Sequence, residues 1–295
     1  MTAQPLVSVI IPAYNRLHLI EPAIQGVLSQ TYESYEIVVV DDASTDGTSR
    51  WIAEHYAQVR LIALEHNVGA AEARNVGIRA AEGELIAFLD SDDYWENNYL
   101  TVLVQALESC SQASFAFSNH REILQDGSIE QCMYQASEKY EDLIHRSLAD
   151  VFIYTMSAVV VRKSALDKCG LLDRRLSSSH DRELYIRLLQ VGEMCHVESC
   201  LVTRVMHDQN ISSDYRNWID NVFMTLDVFF EKPQNQRYLS LRPTLSSTWA
   251  MIFARYFWQV EKAPLRSAMM VLRAFKASPA LMFKKLQSKL LPKPV

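Results

Sequence analysis

The sequence predicts an α/β fold, a mostly parallel sheet flanked by helices and followed by a helical C-terminal extension. Three observations lead there. Short runs such as "VSVII" at 7–11 and "EIVVV" at 36–40 are apolar on both faces, as strands covered from both sides must be. These runs alternate with segments of helical periodicity, which makes βαβ units with right-handed crossovers. Toward the C-terminus the strand signals stop and the periodicity stays helical, so residues 1–214 are expected to form the α/β domain and 215–295 the extension.

The elements follow in order. Residues 7–11 read as a buried strand stopped by Pro12. Over 19–30, Ile20, Ala23, Ile24, Val27 and Leu28 share one helical face. The strand at 36–40 ends on Asp41 and Asp42. A helix at 48–58, an extended run at 60–64, a helix at 70–81 and a strand at 84–89 complete the first half. The second half is looser: a helix at 97–109, a short strand at 114–117, and a polar loop or hairpin at 121–140. A strand at 158–161, a helix at 181–190 and an extended run at 197–205 then precede helices from Trp218 onward. These last are interrupted at Pro233, Pro243, Pro264 and Pro279.

Bulk properties narrow the function. With 295 residues, 49% hydrophobic and 22% charged, the chain has the composition of a globular protein with a sizeable core. A net charge of -6 argues against nucleic acid as a partner. The charge is unevenly spread: from Arg216 onward there are 13 Lys and Arg against 4 Asp and Glu. Five scattered cysteines with no C-x-x-C pair suit free thiols in a reducing cytoplasm. The N-terminus has no basic n-region, so no signal peptide is expected. The longest apolar stretches, such as 151–161, reach about half a bilayer span. A soluble or membrane-surface protein is expected.

Open α/β sheets bind ligands at the carboxyl ends of their strands. Here those ends carry Tyr14-Asn15-Arg16, then Asp41-Asp42, then Asp90-Ser91-Asp92-Asp93. Three carboxylates in four positions either emerge into water or hold a divalent cation, which takes several oxygen ligands and cancels their repulsion. In an extended segment Asp90 and Asp92 point the same way and Asp93 points elsewhere. Only 8 glycines are present, with no G-x-G-x-x-G after the first strand and no P-loop, which disfavours a nicotinamide dehydrogenase or a P-loop NTPase. A nucleoside diphosphate bound here would need a metal for neutralisation.

Four segments in sequence sharpen this reading: "VSVIIPAYNR" at 7–16, "VVVDDASTDGT" at 38–48, "NVGAAEARNVGI" at 67–78 and "GELIAFLDSDDYW" at 83–95, with a weaker fifth, "SHDRELYIRL", at 179–188. Together they resemble the inverting family-2 glycosyltransferases of the GT-A fold over about residues 5–210. The resemblance implies an enzyme moving a sugar from a nucleotide-diphosphate donor, a UDP-sugar, to a hydroxyl of a surface polysaccharide or lipid-linked glycan. It implies that Pro12 and Tyr14 line the base pocket, that Asp42 accepts from a pyrimidine imide N–H, and that Arg74 reaches the nucleotide. Asp90 would lie closer to the ribose or a metal-bound water, Ser91 would belong to the nucleotide-sugar site, and Asp92 would ligate Mg²⁺ or Mn²⁺. His207, in "TRVMHDQNIS" at 203–212, would approach the metal or the diphosphate. Asp181 stands where the family has its base, preceded by His180 instead of the usual glutamate; Glu183 is the alternative base. Each role competes with a plainer one: a turn or cap for Asp42 and Asp181, a solvated helix face for Arg74, core packing for Tyr14, a structural histidine for His207. Competing functions are a sugar-nucleotide nucleotidyltransferase and a non-catalytic sugar-nucleotide binder. A cytoplasmic location is expected, peripheral on the inner membrane face if the basic tail docks on anionic lipid; alternatively its helices pack on the acidic α/β domain.

Overall fold

The structure, a computed structural model, describes residues 4–135, 142–207, 210 and 214–290, with side chains to 284. The chain divides into two compact units: Met1–Lys139 with Val151–Asp214, and Tyr140–Asp150 with Tyr215–Val295.

In the first unit, β1 (Val7–Ala13), α1 (Ile20–Leu28), β2 (Tyr35–Asp41), α2 (Thr48–His55), β3 (Val59–Ala63), α3 (Ala70–Ala80) and β4 (Leu85–Phe88) follow the expected alternation. β1 pairs in parallel with β2 and β4, and β2 with β3. The odd residues Val7, Val9 and Ile11 of β1 pack with Ile20, Ile24, Val27 and Ile52 on one face. Ile10, Val38, Val40, Ile86 and Phe88 face the opposite side, toward Ala73 and Ile78 of α3. Both faces are therefore core, which is why these strands read as unbroken apolar runs.

Beyond β4 the sheet becomes mixed. β5 (Tyr94–Trp95), α4 (Tyr99–Ser109), β6 (Ala113–Ile123) and β7 (Ile129–Cys132) come next; α5 (Leu143–Ala149) belongs to the second unit; β8 (Val159–Arg162), α6 (Lys163–Cys169), α7 (His180–Val191) and β9 (Glu193–Val205) complete the first. The order is β3-β2-β1-β4-β8-β6-β9-β5, with β7 on β6. β8 is antiparallel to both β4 and β6, and β9 is parallel to β6 but antiparallel to β5. Apolar periodicity carries no strand direction, so the sequence does not announce the antiparallel pairs of β8 and β5 that stand among the parallel pairs β1–β2, β1–β4, β2–β3 and β6–β9.

β6 also outruns the four residues expected of it. Ser118, Asn119 and His120 continue the strand although polar, and all three are buried. Asn119 makes this possible by donating to the Glu198 carbonyl (2.6 Å) and accepting from the Tyr134 amide (2.8 Å). The polar stretch after β6 forms the β6–β7 hairpin; residues 136–140 of the expected loop lie outside the described residues.

The second unit holds α5, whose N-cap Asp142 accepts from the His145 amide at 2.7 Å, then α8 (Tyr215–Glu231), a 3₁₀ segment Pro233–Leu241, α9 (Arg242–Gln259), α10 (Pro264–Ala277) and α11 (Pro279–Leu290). Pro233, Pro264 and Pro279 open their elements and Pro243 is the second residue of α9, positions where a missing amide is harmless. Tyr215 stacks on Tyr256, and Trp218 meets Trp249 and Phe253 edge-on to form an aromatic core.

α3 approaches the sheet through Gly77. A methyl there would stand 2.5 Å from Ile10 Cγ2 and 3.3 Å from Val40 Cγ2, both on stiff β-branched side chains. Gly77→Ala would gain about 1 kcal/mol of helix propensity and lose about 1–3 kcal/mol to overpacking. A net loss of stability is expected in urea denaturation, where a helix free of the sheet would show a gain.

Candidate active site at the strand-end rim

Two loops at the ends of β1 and β2 are stitched together by side chains. Asn15 and Ala43 adopt left-handed backbone conformations that turn each strand sharply into its loop. The Asn15 amide donates to Ser44 Oγ and its Oδ1 accepts from the Thr45 amide, both at 2.8 Å. Asp41 accepts from the hydroxyls of Ser44 and Ser49. Asp42 is buried and accepts from the amides of Val68 (2.7 Å) and Gly69 (2.8 Å), one on each oxygen. It thus caps the entry of α3, not of the helix that follows it in sequence. Pro12 lies at this end of β1, and Tyr14 is exposed just beyond it.

The end of β4 is a turn built around Asp93. Its buried carboxylate accepts from Ser157 Oγ (2.6 Å), Thr155 Oγ1 (3.2 Å) and the Val205 amide (3.3 Å). Ser157 Oγ in turn accepts from the Asp90 amide at 3.0 Å, and the Ser157 carbonyl takes the Trp95 indole N–H at 2.7 Å. One carboxyl group therefore ties the β4 turn, segment 155–157 and the end of β9 together. Burial, then the charges of Asp90 and Asp92, hold its carboxyl well above the usual range.

Val205 leads directly to His207, whose Nε2 lies 2.9 Å from Asp92 Oδ2. Burial and the Asp90 charge push the Asp92 carboxyl up, while Arg16 and His207 oppose the shift. One carboxylate oxygen and one imidazole nitrogen in contact fit a divalent cation. Oxygen with imidazole suits Mn²⁺ and is compatible with Mg²⁺. Ser91 is buried between the two aspartates. Of segment 203–212, residues 208, 209, 211 and 212 lie outside the described residues.

A second chain of contacts starts from Asp90. Arg74, buried on α3, sets one guanidinium nitrogen against Asp90 and places Nη1 2.9 Å from His180 Nε2. Arginine can only donate, so His180 accepts at Nε2 and a neutral ring carries its proton on Nδ1. Burial, then the Arg74 charge, lower the His180 pKa to about 4. Arg74 is therefore held between two acceptors and is not on a solvated helix face. Asn75, one residue on, is clamped to Leu172 by reciprocal bonds of 2.9 and 3.0 Å.

Asp181 is the second residue of α7 and only partly buried, with Oδ1 accepting from the Arg182 amide at 2.7 Å. A carboxylate at a helix N-terminus is favoured by the helix dipole. Glu183, the alternative base, lies two residues further along α7. It is buried in a bidentate pair with Arg187 (2.7–2.9 Å), which also donates to the carbonyls of Cys169, Gly170 and Leu171.

The structure thus brings Asp90, Arg74, His180 and Asp181 into one cluster, beside Asp92, Asp93 and His207. Asp42 joins through the entry of α3. Sequence reasoning left Arg16, Thr155 and Ser157 unassigned. Arg16 was visible as a cation at a strand end, whereas nothing local marks Thr155 or Ser157.

The sequence profile of Glycosyl transferase family 2 matches residues 8–170. A Bacillus subtilis (strain 168) protein named as a teichuronic acid biosynthesis glycosyltransferase, TuaG, is 32% identical over 219 residues, covering 72% of this chain and 83% of TuaG. The Escherichia coli UDP-Glc:alpha-D-GlcNAc-diphosphoundecaprenol beta-1,3-glucosyltransferase WfgD is 41% identical over 125 residues, 42% of this chain; the match spans about half (49%) of WfgD. Among solved structures, the mannosyltransferase PcManGT from Pyrobaculum calidifontis, in complex with GDP-Man and Mn²⁺, superposes with a TM-score of 0.60 at 19% identity, covering 98% of this chain and 81% of that one. The fold is GT-A.

His180 offers a direct test of the buried cluster. His180→Leu leaves an Arg74 N–H without its acceptor and should cost about 1–3 kcal/mol, whereas His180→Gln keeps one. The folded histidine binds its proton only near pH 4, the unfolded one near 6.5. Wild type therefore loses stability as pH falls from about 6.5 toward 4, on the order of 3 kcal/mol in total, and the Gln variant lacks that component. Asp92 and Asp93 shift the opposite way in both proteins, so the informative quantity is wild type minus Gln variant, measured by urea denaturation in EDTA. A flat difference would mean that His180 is not held neutral.

Proposed function

The chain belongs to glycosyl transferase family 2, and from that premise we propose that it moves a sugar from a UDP-sugar to a hydroxyl acceptor with inversion. The observation that supports this most is the Asp92–His207 contact at the rim, assembled from residues 115 positions apart. A non-catalytic sugar-nucleotide binder would share this contact and is separated from the enzyme by assaying transfer itself, whereas a nucleotidyltransferase would need a glycine-rich basic loop where Tyr14-Asn15-Arg16 stands.

In this reading Asp92 and His207 hold Mg²⁺ or Mn²⁺. The bound ion supplies electrophilic stabilisation of the departing diphosphate. Pro12 and Tyr14 flank the base, and Asp42 accepts its imide N–H on lone pairs left free by Val68 and Gly69. Asp90 and Ser91 meet the ribose. Arg74 presents a fixed cation to the nucleotide, and its two partners keep it from wandering. Asp181 takes the proton of the acceptor hydroxyl as that oxygen attacks the anomeric carbon. His180, neutral and buried, keeps a second carboxylate away from Asp181.

The acceptor is a glycan hydroxyl of surface polysaccharide or lipid-linked glycan synthesis, as the names of TuaG and WfgD suggest for those proteins. WfgD's beta-linked product from UDP-Glc is the inverting outcome. No helix among the described residues is long and apolar enough to cross a membrane. A lipid-linked acceptor would place the enzyme in the cytoplasm, peripheral on the inner membrane face.

Asp92→Ala should abolish transfer and weaken UDP binding measured by calorimetry with Mn²⁺, and EDTA should do the same to wild type. Full transfer in excess EDTA would refute the metal role. Asp181→Asn should lower turnover by roughly 100- to 10,000-fold with UDP binding unchanged. A product that retains the donor's anomeric configuration, read by NMR, would rule out inversion.

A further inference from the structure

We propose that the outer face of α10, together with the α9–α10 turn, is a docking surface for an anionic lipid bilayer. This rests on the membrane placement given above and names the surface responsible. It does not depend on the transfer chemistry.

α10 packs inward through Ser267 and Ala274, seven residues apart; Ser267 Oγ donates to the Ala254 carbonyl at 2.8 Å. The opposite face carries Leu265, Met269 and Leu272, spaced i, i+4, i+7 and so aligned as one stripe. Trp258 and Val260 precede the stripe and Phe283 follows it. All six side chains are between 57% and 81% exposed. Fourteen large hydrophobic residues are exposed among the described residues, and these six fall within 258–283, so the exposure is concentrated. Single exposed apolar residues are ordinary, whereas such a concentration marks a surface that something covers.

Charge identifies the occupant. No Asp or Glu follows Glu261, while eight Lys and Arg do. Arg273 and Lys276 border the stripe; Arg273 also lies over the Phe223 ring at 3.4 Å. Arg266 shares its charge with Glu261 at 3.1 Å. An apolar stripe edged by cations, with an exposed indole beside it, fits a helix lying in the interface of an anionic bilayer. Anionic headgroups attract basic residues near their surface, additively and in a salt-sensitive way. A second copy of this chain would set these cations against one another.

The test is flotation of the full chain with vesicles of phosphatidylcholine alone, or with an equal amount of phosphatidylglycerol. The protein should float with the anionic vesicles at low salt, lose this in high salt and ignore the neutral ones. The triple substitution Leu265→Ser, Met269→Ser and Leu272→Ser should weaken partitioning by about tenfold or more. These side chains are solvent-exposed, so thermal unfolding and UDP binding should be unchanged, and the UDP measurement keeps this test separate from the catalytic reading. Absence of binding to anionic vesicles overturns the proposal. So does binding that the triple variant leaves intact, or a concentration-dependent dimer that the triple variant abolishes.

Discussion

Three carboxylates at the end of one strand repel each other, and the candidate site is organised by how that repulsion is resolved. Each aspartate of Asp90-Ser91-Asp92-Asp93 has a different counter-group. Asp90 meets the Arg74 guanidinium, Asp92 the His207 imidazole, and Asp93 two hydroxyls and an amide. Like charges a few ångströms apart are costly in a partly buried setting. The partners come from α3, from segment 155–157 and from the end of β9, so dispersing the charge also gathers the site.

The division of labour follows from burial. Asp93 is the most enclosed of the three, and its burial together with the Asp90 and Asp92 charges keeps its proton affinity high. Asp90 and Asp92 are partly open and each meets a nitrogen base, the environment expected of groups that handle a charged ligand. The neutral His180 fits the same pattern. A glutamate there would put another carboxylate beside Asp181 and Asp90, whereas the imidazole satisfies Arg74 without adding charge.

The first half of the fold was legible because strands buried on both faces spell themselves in apolar residues. The end of β6 was not, because Ser118, Asn119 and His120 are buried although polar, and the hydrogen bonds that hold Asn119 leave no mark on periodicity. For the candidate site, the acidic strand ends were legible from topology; of the residues that meet them, Arg74 and His207 were singled out by the family resemblance and Thr155 and Ser157 by nothing. His207 approaches Asp92 across 115 positions, and Thr155 and Ser157 reach Asp93 across more than 60, distances no local pattern encodes. Glu183 shows the converse. It stands at i, i+4 from Arg187, and the structure buries the two as an ion pair.

Asp42 has a consequence for altering this protein. Its two oxygens hold the amides at the entry of α3, and Arg74 lies one turn into that helix. A substitution at Asp42 meant to change which base is accepted would also uncap α3, loosening the segment that aims Arg74. In the proposed reading, in which Asp42 also meets the base, selectivity and rigidity are wired through the same carboxylate. A redesign that treats Asp42 as an interchangeable module would have to rebuild the Val68–Gly69 turn in the same step.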